Sequence, residues 1–205
     1  MTGKKFIDKV INHKDKANEL IEGDGGFNIK RGMAHTISGY VEDLFALFIA
    51  TNVNCKENEY LVDKVISIRF NENEKAKSFK PDLAIVNNNL LTHYFDLKTN
   101  MGWNRHFDIY LKEKNAFIEK LKNRNAWIRH NKKEVQEINI SEDLTYQMVV
   151  VFGWNINKDL LQNNLEIAKN YPNVKVNILY AHDDESNEYS VNEKAFNSIL
   201  KSVIA

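Results

Sequence analysis

The run TYQMVVVFGW, residues 145–154, contains no charged side chain and no alternation of polar with apolar residues. A strand with one face in water alternates, whereas a strand covered on both faces reads as a single apolar block. This run therefore belongs inside a sheet with a layer on each side. VKVNILYA (174–181) is a second near-continuous strand, and Leu160, Leu161, Leu165 and Ala168 between the two fall at helical spacing. Strand, helix, strand is a parallel crossover unit, right-handed in almost every case.

The rest of the chain supplies the other layers. Phe6, Ile7, Val10, Ile11, Ala17, Leu20 and Ile21 make a helical stripe over Lys5–Glu22, which the glycines of GDGG (Gly23–Gly26) end. A second helix is predicted over Thr36–Asn52, with Val41, Leu44, Phe45, Leu47, Phe48 and Ile49 as one broad buried face. Residues 62–70 read as a strand, and a hairpin follows with strands near 79–86 and 90–99. A helix is expected over 106–122, with Tyr110, Phe117, Ile118 and Leu121 inward, and a last one over Asn192–Val203. Residues 123–143 are polar and show no clear period. The expected fold is α/β, a mixed β-sheet flanked by helices on both faces.

No repeat, low-complexity tract or linker interrupts the pattern, so residues 1–205 are read as a single domain with its core at about 36–181. No apolar run approaches the length of a membrane span, and the N-terminus lacks the apolar centre of a signal peptide. The one cysteine, Cys55, rules out an internal disulfide. These features together point to the cytoplasm. Net charge is zero, which argues against a wholly basic nucleic-acid coat. The charge is uneven, however: Trp103–Lys133 holds nine Lys/Arg against three acids.

The hairpin carries the chemistry. Its sequence, FKPDLAIVNNNLLTHYFDLKTN (79–100), places an aspartate in each strand and a lysine two residues after the second. Side chains alternate across a strand, so Phe79, Leu83, Ile85, Leu91, Phe95 and Leu97 should share an apolar face, and Asp82, Asp96 and Lys98 the other. With Val86 paired to Leu90 across three turn asparagines, Asp82 lies opposite Tyr94 and diagonal to Asp96; a slip of two residues puts the aspartates face to face. Two carboxylates this close need a positive charge between them. Hard oxygen ligands suit Mg²⁺, with Mn²⁺ as a substitute, and Lys98 could position water or offset charge on a phosphate. A plain surface ion pair of Asp82 with Lys98 is the alternative. Glu42, beside the buried stripe of the second helix, could reach the sheet edge or could simply be solvated. None of the six histidines shows metal-ligand spacing, and His93 reads as a satisfied core or edge residue.

Pro81-Asp82, a short hairpin, then Asp96-Leu97-Lys98 resembles the signature of the PD-(D/E)xK nuclease superfamily. The order of a helix with Glu42, three strands, a helix and a strand resembles its common core. Within the superfamily, chain length and single-domain organisation look most like a type II restriction endonuclease. The resemblance implies a restriction-endonuclease-like fold and a Mg²⁺-dependent cut of double-stranded DNA that leaves 5′-phosphates. It implies Asp82, Asp96 and the main-chain carbonyl of Leu97 as metal ligands, Lys98 as the catalytic lysine and Glu42 as the supporting helical acid. The second acid is Asp where the family more often has Glu.

For DNA contacts the candidates are Asn100, Asn104 and Arg105 just after the motif, and Arg129, Lys132 and Lys133 in NRNAWIRHNKK (123–133). Asn and Arg suit base edges, and the local positive excess suits phosphates. The second stretch could equally be a charged, solvated helix face anchored by Trp127. Cutting both strands of a duplex is simplest for a homodimer. The other readings are a structure-selective or repair nuclease, a DNA-binding module that does not cleave, and an α/β domain whose hairpin charges only pair on the surface.

Overall fold

A computed structural model describes residues 1–22, 37–101, 106–131, 133–154, 156–182 and 188–204. Among the described residues, five helices cover a mixed sheet of ten strands. At its centre β5 (Leu90–Lys98) and β8 (Tyr146–Phe152) run parallel, paired from Tyr94 with Tyr146 to Lys98 with Val150. All seven residues of β8 are buried, as an apolar block with no polar alternation requires. The crossover helix α4 (Lys158–Ala168) then leads to β9 (Val174–His182), which is parallel to β8. The short β10 (Tyr189–Val191) closes that side, antiparallel to β9. Within α4, Leu161 is buried, but Leu160, read from the sequence as core, is 49% exposed.

On its other edge β5 pairs with β4 (Leu83–Asn87), and β4 with β1 (Asn58–Val62), both antiparallel. The predicted strand over 62–70 is two strands, because the chain turns at Asp63, whose φ of 51° is left-handed. The second piece, β2 (Ile66–Ile68), pairs with β3 (Lys77–Phe79) and with β6 (Asn125–Arg129). β6 forms a hairpin with β7 (Val135–Ile140), whose end lies parallel to the start of β5. The unassigned 123–143 segment is therefore a β-hairpin, not a helix. Alternating Ala126, Ile128, Ile138 and Ile140 bury one face of it, a signal diluted by polar residues on the other.

Both faces of the sheet are covered. On one side α1 (Gly3–Glu22), α2 (Ser38–Val53) and α5 (Glu193–Ile204) bury Leu83, Ile85, Phe95, Val149 and Val151. Phe6, Phe45, Phe48, Phe95 and Phe196 meet there mostly edge-on, at centroid distances of 5.1–6.2 Å. That is the preferred geometry of packed rings. α2 is apolar on most of its circumference, as befits a helix between two others and a sheet. Its Leu47, expected inward, is 53% exposed. On the opposite side α3 (Phe107–Leu121) and α4 cover Ala84, Val86, Leu91, Tyr94, Met148 and Val150. The hairpin strands thus have two buried faces rather than one apolar and one solvated. Among the described residues no helix is long and apolar enough to cross a membrane.

Candidate functional site

The register of the β4–β5 hairpin decides what its acidic residues can do. Asn88 and Asn89 both have positive φ, 48° and 63°. Two consecutive left-handed residues make a type I′ turn, the two-residue connection whose twist matches paired strands, and asparagine tolerates it well. Asn87 therefore pairs with Leu90, not Val86 with Leu90. A second shift follows, since Val86 pairs with Leu91 but Ile85 with His93, leaving Thr92 as a bulge. The Thr92 hydroxyl donates to the Ile85 carbonyl at 3.1 Å and pins it. Each shift moves the register by one residue. Leu83 then faces Phe95, and Asp82 donates its N–H to the Phe95 carbonyl at 3.1 Å. The pairing of Asp82 with Tyr94 is thereby corrected: Asp82 and Asp96 come side by side. The bulge also reverses the alternation, so that Leu91 joins the face of Tyr94 and Asp96.

The two carboxylates are held differently. Asp82 accepts the Leu97 N–H at 2.6 Å. Asp96, 8% exposed, accepts from Lys98 Nζ at 2.6 Å on Oδ1. Its Oδ2 accepts from the Tyr110 hydroxyl at 2.9 Å and from the Tyr146 hydroxyl. The two phenols also touch each other at 2.7 Å. Lys98 is thus paired to Asp96, not to Asp82 as in the surface-pair alternative, and the pair is largely buried.

The charges divide accordingly. Burial, then the hydrogen bond and charge of Asp96, push the Asp82 carboxyl well above the usual range, against the pull of the Leu97 N–H and Lys98. Burial pushes Asp96 up as well, but its bond with Asp82, Lys98 and the Tyr146 hydroxyl outweigh that and hold it ionised. Burial and then the Asp96 charge keep both phenols protonated as donors. The raised Asp82 and the lowered Asp96 stand side by side, a setting that favours a proton or a cation between them.

Glu42 lies on α2, half-buried, and makes no side-chain hydrogen bond among the described residues. Burial and the Asp63 charge raise its carboxyl, while Lys80 and Lys98 lower it, so it stands within electrostatic reach of Lys98 without touching the aspartates. Lys80 itself is paired with Asp63. Leu97 and Asn100 are half-buried, in and just beyond β5. Arg129 and Lys133 are exposed on the β6–β7 hairpin. That hairpin meets β5 only at Leu90 and Leu91, roughly 20 Å of strand from Asp96, so these two basic residues do not line the carboxylate site. Asn104, Arg105 and Lys132 lie outside the described residues.

Three residues of the site escaped the sequence reading. Tyr110 had been assigned only to packing, and Tyr146 only to the central strand. A tyrosine in a strand buried on both faces needs a partner for its hydroxyl, and that was the available signal. Lys114, counted only in a basic segment, places its ammonium 4.9 Å from the Tyr146 ring centroid and 5.3 Å from that of Tyr110. Among the described residues no cluster of three or more His, Cys, Asp or Glu is arranged to hold a metal. Two convergent carboxylates do fit Mg²⁺, which keeps several waters and uses one or two carboxylates with a substrate phosphate. Compared with protein-family models, with curated proteins and with solved structures, the chain matches none.

Proposed function

We propose that the chain is a Mg²⁺-dependent endonuclease of PD-(D/E)xK type, closest in kind to a sequence-specific type II restriction enzyme. It would act on double-stranded DNA in the cytoplasm as a homodimer. The observation that carries the reading is the convergence of Asp82, Asp96 and Lys98 at adjoining strand ends, with Asp82 accepting the Leu97 N–H and Asp96 paired to Lys98. The arrangement around them supports it. β1, β4, β5 and β8 are neighbours in that order, the first three antiparallel and the fourth parallel to β5, with α2 before them and α3 between β5 and β8. Apart from β2 and β3 before β4, and β6 and β7 before β8, this follows the order of helix, three strands, helix and strand that the resemblance implies, with β1 in place of the strand expected over 62–70.

In this reading Asp82, Asp96 and the Leu97 carbonyl hold the cation, which when bound polarises the phosphate and lowers the pKa of a bound water. Tyr110 and Tyr146 occupy Oδ2 of Asp96, and the other oxygen, which Lys98 holds in this structure, is the one that would pass to the cation. Lys98 sits where it can hold the attacking water and offset charge on the phosphate. Glu42 acts at a distance, through the field at Lys98.

The test is incubation with mixed-sequence duplex DNA in Mg²⁺, beside EDTA and an Asp96→Ala variant. Discrete fragments that need both the metal and Asp96 are expected. Absence of cleavage on diverse duplexes in both Mg²⁺ and Mn²⁺ would overturn the reading.

A further inference from the structure

Lys114 projects from α3 one turn after Tyr110, so both side chains lie on the same helical face. Its ammonium rests against the two rings whose hydroxyls bind Asp96. A half-buried ammonium ordinarily takes a carboxylate. Lys98 does so, on Asp96. Lys114 forms no ion pair among the described residues, although Asp96 and Asp82 are near enough for their charges to act on it. Ring faces attract a cation without neutralising it. The result is a positive charge, fixed on rigid aromatic supports beside the carboxylates, with no anion of its own.

We propose that Lys114 is a substrate-binding residue that takes a phosphate of the nucleic-acid backbone at the carboxylate site, so that Lys98 and Lys114 flank Asp96 from two sides. This rests on the nuclease reading above. Burial lowers the affinity of Lys114 for its proton, which is the cost of keeping such a charge out of water without a partner, and an arriving phosphate removes that cost. The exposed Lys112 on the same helix has no such setting and serves as the control.

The experiment is fluorescence anisotropy of a labelled DNA duplex, with Ca²⁺ and with EDTA, titrated at several salt concentrations. Wild type is compared with Lys114→Met, Lys114→Gln, Lys114→Arg and Lys112→Met, each checked for folding by circular dichroism. Methionine preserves the contact with the rings and glutamine is the polar alternative if it perturbs packing. Loss of Lys114 should weaken binding about tenfold or more, the scale of one charged hydrogen bond. It should also reduce the slope of log K against log salt by about 0.9, the value for one phosphate. Arginine should keep most of the binding, and Lys112→Met should match wild type. Equal affinity and slope for wild type and both neutral Lys114 variants would overturn the proposal and leave the nuclease reading standing. A wild type that neither binds nor cuts DNA would remove that reading, and this inference with it.

Discussion

At the scale of single residues, the juxtaposition of Asp82 and Asp96 sets the proposed function against stability. A half-buried and a buried carboxylate side by side favour a proton or a cation between them. Asparagine at position 82 keeps an oxygen for the Leu97 N–H and removes the second negative charge beside Asp96. Asp82→Asn should therefore melt in EDTA at the same temperature as wild type or higher, and should lose about a hundredfold or more of its cleavage rate. Thermal melts beside a cleavage assay check both halves. A variant that loses stability while still cutting would show that Asp82 is a structural acceptor.

At the scale of elements, the far end of β5 shows how α5 is fastened to the sheet. His93 contacts Thr92 Oγ1 at 2.9 Å through Nδ1 and the Ser202 carbonyl at 2.8 Å through Nε2, and the buried Gln147 of β8 reaches the Ser202 hydroxyl at 3.3 Å. Burial pushes His93 below its ordinary value, assisted by the charge of Lys175 and opposed by the bond to Ser202. The sign follows from linkage. Above about pH 6.5 the ring is neutral whether the chain is folded or not, and there is no penalty. As pH falls below that, the unfolded chain takes up the proton first, so stability is lost down to the folded-state value. Melting temperatures from about pH 7.5 to about 5.5 should fall more steeply for wild type than for His93→Gln. Equal slopes would mean that the ring titrates freely.

The elements also show where sequence stops being legible. The helices and the two apolar strands could be read because each carries its burial pattern in consecutive residues. The β6–β7 hairpin could not, because only every second side chain is buried and the other face is charged or polar. Spacing alone places Leu47 and Leu160 in the core, yet both are exposed, because which side of a helix is covered depends on its neighbours. The hairpin register turned on two backbone events, the Asn88-Asn89 turn and the bulge at Thr92. Either one missed moves Asp82 off Asp96.

For the whole molecule, the proposed cation site would link binding to folding. A ligand that binds only the folded state stabilises it by about 2.7 kcal/mol when present at a hundred times its dissociation constant. Mn²⁺ or Mg²⁺ should thus raise the melting temperature of wild type and leave that of Asp96→Ala in place. A matching rise in both would place the cation elsewhere on the protein. This measurement needs no DNA, so it tests the metal site independently of the substrate.

The sequence by itself determined that the chain makes a mixed sheet between helices, that Asp96 and Lys98 share a strand face, and that Glu42 lies on the helix before them. Those are properties of local periodicity, which packing enforces wherever the chain folds. Only the tertiary structure decided that the two aspartates come side by side, that Tyr110 and Tyr146 close on one oxygen of Asp96, that Lys114 stands beside them, and that Arg129 and Lys133 do not. Each of these depends on which strand lies next to which and in what register, and contacts between distant segments leave no trace in the spacing of residues along one segment.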